Sequence, residues 1–184
     1  QIEMPIKEDV EKNLPKNPYG LSKLKVEKML EEKFHQNKDW RIISLRYFNP
    51  VGAHSSGEIG EKNDDGKATN LMPIILNVAS GHSPFVKIFG NDYSTKDGTP
   101  IRDFIHVQDL ASAHVSALKK IEKEKIFVNL NVGTGIGYSV LGVIKQFEIS
   151  NKVKVPIIFE KRREGDVEVC VADTLSLIHI SEPT

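Results

Sequence analysis

Apolar residues at Leu21, Leu24, Met29, Leu30 and Phe34 recur at helical spacing and predict an amphipathic helix over about 19–36, entered through Asn17-Pro18. The run from Ile42 to Phe48 is short and rich in β-formers, and it ends at Asn49-Pro50, so it reads as a buried strand running into a loop. Residues 57–68 are polar and carry glycine, as a surface loop does, and the helix expected from about Asn70 to Ala79 places Leu71, Ile74, Ile75 and Val78 on one side. A strand is expected over 85–89, then an excursion through the turn-formers of 90–100, then a strand over 101–106. Asp109 is expected to cap or begin a helix that runs to about Ile121, followed by a strand over 127–132. Ser139 opens a helix to about Ile149, and 155–159 makes a last strand. Strands alternating with helices imply an α/β fold containing parallel sheet.

Composition narrows the function classes. With 184 residues, 39% of them apolar, the chain has material for one large domain with a buried core. Lys+Arg and Asp+Glu balance at 25 each, so no overall basic field draws in a nucleic acid or an anionic membrane, and an anionic ligand must be held by a few placed cations. The lone cysteine, Cys170, excludes an internal disulfide framework and a thiol-based metal site, and fits a reducing, cytoplasmic setting. No apolar run reaches the length of a membrane span, and the polar start Gln1-Ile2-Glu3-Met4-Pro5 does not read as a signal peptide. The missing initiator methionine suggests a chain that begins mid-protein.

Tyr19 and Lys23 stand four residues apart, so a helix projects both from one face toward a common ligand. A phenol with an ordinary pKa near 10 is a poor base at neutral pH; lowering it by about 3 units takes roughly 4 kcal/mol of interaction favouring the phenolate, which a nearby ammonium and a cationic cofactor ring can supply. By itself the spacing is common in a lysine-rich chain. Gly133-Thr134-Gly135-Ile136-Gly137 stands between a strand and a helix but lacks dinucleotide-loop spacing, and reads as a tight turn. His106 and His114 have no third ligand nearby, which argues against a metal; His106 reads as a packed structural residue, and 119–125 as a solvated helix end.

Asn17-Pro18-Tyr19-Gly20-Leu21-Ser22-Lys23, followed by Leu45-Arg46-Tyr47-Phe48-Asn49-Pro50-Val51-Gly52, resembles the active-site helix and following strand of the extended short-chain dehydrogenase/reductase family. Further segments in order, among them Asn70-Leu71-Met72-Pro73, Phe89-Gly90-Asn91-Asp92-Tyr93, Arg102-Asp103-Phe104-Ile105-His106-Val107 and Arg162-Arg163-Glu164-Gly165-Asp166, make residues 15–174 similar to the UDP-glucose 4-epimerase family. The resemblance implies NAD as cofactor and a reversible oxidation at carbon 4 that interconverts UDP-glucose and UDP-galactose. It assigns Tyr19 as the base, Lys23 to the nicotinamide ribose and Tyr47 to the nicotinamide side as well as to the substrate. Phe48 and Asn49, together with Thr69, Asn70, Leu71, Lys87, Ile88 and Phe89, fall on segments that bind the nucleotide sugar. Arg102 and Arg163 match diphosphate contacts, where charge-assisted and bidentate bonds suit phosphate oxygens. Asp166 suits a ribose hydroxyl, with Glu164 and Gly165 beside it. Cys170 matches a position beside the sugar, where a small side chain leaves room for an N-acetyl group, so UDP-N-acetylhexosamines (UDP-GlcNAc and UDP-GalNAc) are expected substrates too.

The implied fold is an incomplete Rossmann-type parallel sheet with a smaller α/β substrate-binding region. Residues 1–50 would belong to the nucleotide-binding domain, and 51–174 to a mixed region that binds substrate and returns strands and helices to the main sheet. The family's glycine-rich NAD loop and its catalytic Ser/Thr precede the part that matches, so this chain alone is expected to be inactive, and its complete parent a homodimer. Residues 175–184 resemble a translated sequencing-adapter tail. The rival readings are a nucleotide-sugar dehydratase or decarboxylase of the same superfamily and a non-catalytic nucleotide-binding protein; retention of both Tyr19 and Lys23 argues against the second.

Overall fold

The computed structural model describes residues 5–8, 18–61 and 68–174; the expected tail, 175–184, and part of the predicted 57–68 loop lie outside them. Helix α1 (Pro18–Gln36) starts with proline at its first position, where a missing N–H costs nothing, and leads to β1 (Ile42–Tyr47) and the short β2 (Asn49–Val51). Helix α2 (Leu71–Ala79), β3 (Val86–Phe89) and β4 (Ile101–His106) follow, then α3 (Val107–Lys123) and β5 (Phe127–Val132). The chain closes with β6 (Gly137–Ser139), α4 (Val140–Asn151), β7 (Ile157–Glu160) and β8 (Val169–Cys170). The α/β class and the parallel pairing are as expected.

Among the described residues, three small sheets carry the strands. β1 pairs with β5 in parallel, Arg46 opposite Asn131 and Tyr47 opposite Val132. β4 is the hub of a four-stranded sheet: parallel to β2 through Phe104–His106, antiparallel to β6 and parallel to β8 through its first half. β3 and β7 form the third, parallel pair. α2 and α4 pack against β3, where Ile75, Val78, Val86, Ile88, Ile144 and Val155 form a buried cluster. Alternation explains its composition: Val86 and Ile88 point inward from β3 while Lys87 points out.

Several local details depart from the sequence reading. His106, not Asp109, caps α3: its Nδ1 accepts the Gln108 N–H, and the helix begins at Val107, leaving Asp109 in the first turn. An imidazole can cap as a hydroxyl or carboxylate does when its accepting nitrogen is aimed at the helix start. The last predicted strand begins at Ile157 instead of 155, because Val155 gives its N–H to the Glu148 carboxylate and Pro156 has none. Strands β2, β6 and β8 escaped the sequence reading. Ser139 does cap α4, accepting from Gly142 N–H.

Candidate active site

Tyr19 and Lys23 lie in the first turns of α1, and the helix brings them together as their spacing requires: the Lys23 Nζ sits 5.2 Å from the centroid of the Tyr19 ring. The ring is 71% exposed, so the phenol is open to a ligand, and the Tyr19 carbonyl is held by the Ser22 hydroxyl at 2.7 Å. Tyr47 closes β1, half exposed, its ring centroid 6.5 Å from that of His114 on α3. Phe48 follows, its N–H donating to the Val132 carbonyl.

On β4 the period of two separates two jobs. Arg102 and Phe104 share one face, and Asp103, fully buried, points to the other. The Asp103 carboxylate accepts from the Thr134 N–H (2.8 Å) and hydroxyl (2.7 Å), the Gly135 N–H (3.0 Å) and the Ala172 N–H (3.1 Å). This makes 133–135 a carboxylate-held turn, as the tight-turn reading expects, with Gly135 at φ +73°. Arg102 stands in register with Cys170 of β8, and its Nη2 lies 3.8 Å from the Asp166 carboxylate. Burial pushes the Cys170 thiol up, with Arg102 opposing and Asp103 adding to the shift, so it stays a neutral thiol at neutral pH.

The third group sits on the β3–β7 pair. Lys87 bonds the Glu160 carboxylate at 3.1 Å, while the Ile88 side chain is sealed in the core and offers a ligand only its backbone. The guanidinium of Arg163 stacks on the Phe89 ring at 3.8 Å, and that of Arg162 on the buried Tyr93 ring at 3.9 Å. Glu164 and Gly165 form an exposed turn, Gly165 at φ +82°, that returns the chain to Asp166.

A cleft of about 810 Å³ opens where β2, α2 and the start of α3 meet, lined by Asn49, Leu71, Phe104, Glu61 and Asn70 among others. Asn70 occupies the cap position of α2 yet makes no capping bond; its amide donates to Glu61 Oε1 at 2.9 Å. An asparagine there normally satisfies the helix start, so this side chain is committed to the cleft instead. Thr69 is exposed beside it. Tyr19, Lys23, Lys87 and Phe89 are not among the cleft's lining residues, so the predicted residues fall into separate groups on α1, β4–β8, β3–β7 and the cleft.

The family model of the NAD dependent epimerase/dehydratase family matches residues 1–133. The chain belongs to that family. It is 49% identical over 159 residues to the UDP-glucose 4-epimerase GEPI48 of Cyamopsis tetragonoloba, a match that covers 86% of this chain and 45% of the relative. The UDP-glucose-4-epimerase of Stenotrophomonas maltophila, solved with NAD and formylated UDP-arabinopyranose, superposes with a TM-score of 0.91 at 45% identity over 97% of this chain and 53% of its own. The UDP-Glc/GlcNAc 4-epimerase of Campylobacter jejuni follows with a TM-score of 0.73 at 37% identity, over 98% and 54%. This chain therefore spans about half the length of the relatives it matches.

For this epimerase/dehydratase family member, the sequence reading missed Phe104, His54 and Glu61 as cleft residues and Asp103 as the residue that joins three segments. Phe104 was findable, because it lies two residues from Arg102 on a predicted strand and so shares its face. The Asp103 contacts join residues 31 and 69 positions apart, which no local pattern reports.

Proposed function

We propose that the complete protein interconverts UDP-glucose and UDP-galactose by 4-epimerisation through a 4-keto intermediate, with NAD as cofactor. The observation that carries this reading is the Tyr19–Lys23 pair, an exposed phenol with an ammonium 5.2 Å from its ring at the start of a helix. Lys23 offers three N–H donors suited to a ribose diol, and Tyr47 an exposed aromatic face, so these residues fit the nicotinamide-riboside end of NAD. NAD, when bound, supplies reversible hydride acceptance at carbon 4.

The protein residues do the rest. Tyr19 takes the proton of the sugar 4-hydroxyl and returns it, and the Lys23 charge is complementary to the phenolate this requires. Arg102 and Arg163 hold the diphosphate; both already have a neighbour, Asp166 for one and the Phe89 ring for the other, so little side-chain freedom is lost on binding. Asn49, Asn70 and Leu71 contact the nucleotide sugar from the cleft side, with Phe48, Thr69, the backbone of Lys87 to Phe89, Glu164 and Gly165 completing the binding groups, and Asp166 takes a ribose hydroxyl. Cys170, compact and uncharged beside Arg102, leaves room for an N-acetyl group, so UDP-GlcNAc and UDP-GalNAc are substrates as well. Residues 1–50 belong to the nucleotide-binding half, and the return of β5 to pair with β1 supports a mixed region from 51 onward. The complete protein is a homodimer; the exposed Val26 and Met29 of α1 fit such a contact.

The test uses protein expressed from its complete coding sequence, with UDP-galactose as substrate and UDP-glucose formation as readout. Tyr19→Phe and Lys23→Met each lower kcat by about 10²–10⁴-fold, the usual worth of a positioned acid/base group. Full activity in Tyr19→Phe would overturn the reading.

A further inference from the structure

We propose that the ion pair between Glu27 and Arg46 is the positioning device that sets the height and rotation of the active-site helix over the strand that delivers Tyr47, Phe48 and Asn49. The proposal rests on the epimerase reading above. Glu27 lies one helical turn beyond Lys23 and two beyond Tyr19, on the same side of α1. Arg46 immediately precedes Tyr47 and faces the helix. Its Nε donates to Glu27 Oε1 at 2.8 Å and its Nη2 to Glu27 Oε2 at 3.0 Å, a bidentate fork that fixes direction as well as distance. The third nitrogen, Nη1, donates to the Glu8 carbonyl at 2.9 Å. Glu8 in turn accepts the N–H of Asn131, the residue opposite Arg46 in the β1–β5 register, so the guanidinium is braced from both sides.

Leu24 is the one buried side chain of α1 among the described residues, and an apolar contact fixes distance but not rotation. The stacked pair of Phe34 and Phe127, 5.5 Å between centroids, anchors the far end of the helix, four turns from Tyr19. Between those anchors the Glu27–Arg46 fork, with both side chains about one-fifth exposed, is directional and close to Tyr19 and Lys23. Neither residue touches a reacting atom; each acts through the helix.

Glu27→Gln, Arg46→Gln and the double variant, made in the protein expressed from its complete coding sequence, test this. Each single variant should lower kcat by at least about tenfold while KM for UDP-galactose changes less than about twofold, because a displacement of the base by about 1 Å is felt in the chemical step. The double variant should fall no further than the worse single one, since both remove the same link. Hydrogen exchange on the same preparations should quicken by on the order of tenfold at the amides of 19–27 and stay unchanged across β1 and β5. Unchanged kcat, losses that multiply in the double variant, or exchange that is unchanged or rises equally throughout would overturn the proposal. A wild-type protein that converts no nucleotide sugar would sink the epimerase reading, and the exchange comparison would still decide where the fork holds the helix.

Discussion

At the scale of single residues, Asp103 shows how much of the candidate site is held together by one fully buried carboxylate. Its carboxylate gathers four donors from Thr134, Gly135 and Ala172, and thereby fixes the strand that carries Cys170 beside the one that carries Arg102. Buried donors stranded without an acceptor cost about 1–3 kcal/mol each, so Asp103→Ala should lower stability by at least about 3 kcal/mol in urea denaturation. Gly133→Ala should also destabilise, because its Cβ would fall 2.5 Å from Asp103 Oδ2 and 2.7 Å from Ala172 Cβ. Cys170→Tyr tests specificity: turnover of UDP-GalNAc should be lost while UDP-galactose turnover stays within about tenfold, the range one side chain in a pocket commands. That Tyr19 and Lys23 lie side by side was legible in the sequence because their relation is one helical turn, whereas their assignment to a site came from the resemblance of the segments around them. Asp103 was not, because every one of its partners is distant in the chain.

At the scale of elements, the helices and the longer strands could be read because their spacing repeats enough times to be counted. β2, β6 and β8 have three, three and two residues and show no period of their own; they exist because β4 offers them open hydrogen-bonding edges. Of the two roles expected of Asp109, it takes the one inside the helix start: it is a good capping type, but β4 runs straight into the helix and leaves His106 at the cap and Asp109 in the first turn. The turn-rich segment 90–100 joins α4 through Asp97, whose carboxylate accepts from Ser139 Oγ (2.6 Å), Thr99 Oγ (2.7 Å) and Thr99 N–H (3.0 Å). Burial alone would raise its pKa; the hydrogen bonds from Ser139 and Thr99, with the charge of Lys145, outweigh that and hold it below the ordinary 3.8. A depressed carboxylate contributes stability above its ordinary value and loses it as pH falls through the lower folded value. Wild type should therefore lose stability below about pH 4 by this route, and Asp97→Asn should show a flatter dependence in the same window, measured as Tm against pH.

At the scale of the molecule, the groups that point to chemistry lie on separate elements: α1, the β4–β8 and β3–β7 pairs, and the cleft. Family membership follows from residues 1–133, and the relatives that the chain matches are about twice as long. No helix among the described residues is long and apolar enough to cross a membrane. With a net charge of zero, the proposed function leaves a diphosphate to placed cations, and Arg102 and Arg163 already have neighbours in Asp166 and Phe89. The central claim is reversible oxidation at carbon 4 with return of the same hydrogen. UDP-galactose deuterated at carbon 4, incubated with protein from the complete coding sequence and followed by NMR, should give UDP-glucose that keeps the deuterium at carbon 4. Loss of the label to solvent, or a dehydrated or decarboxylated product, would contradict it.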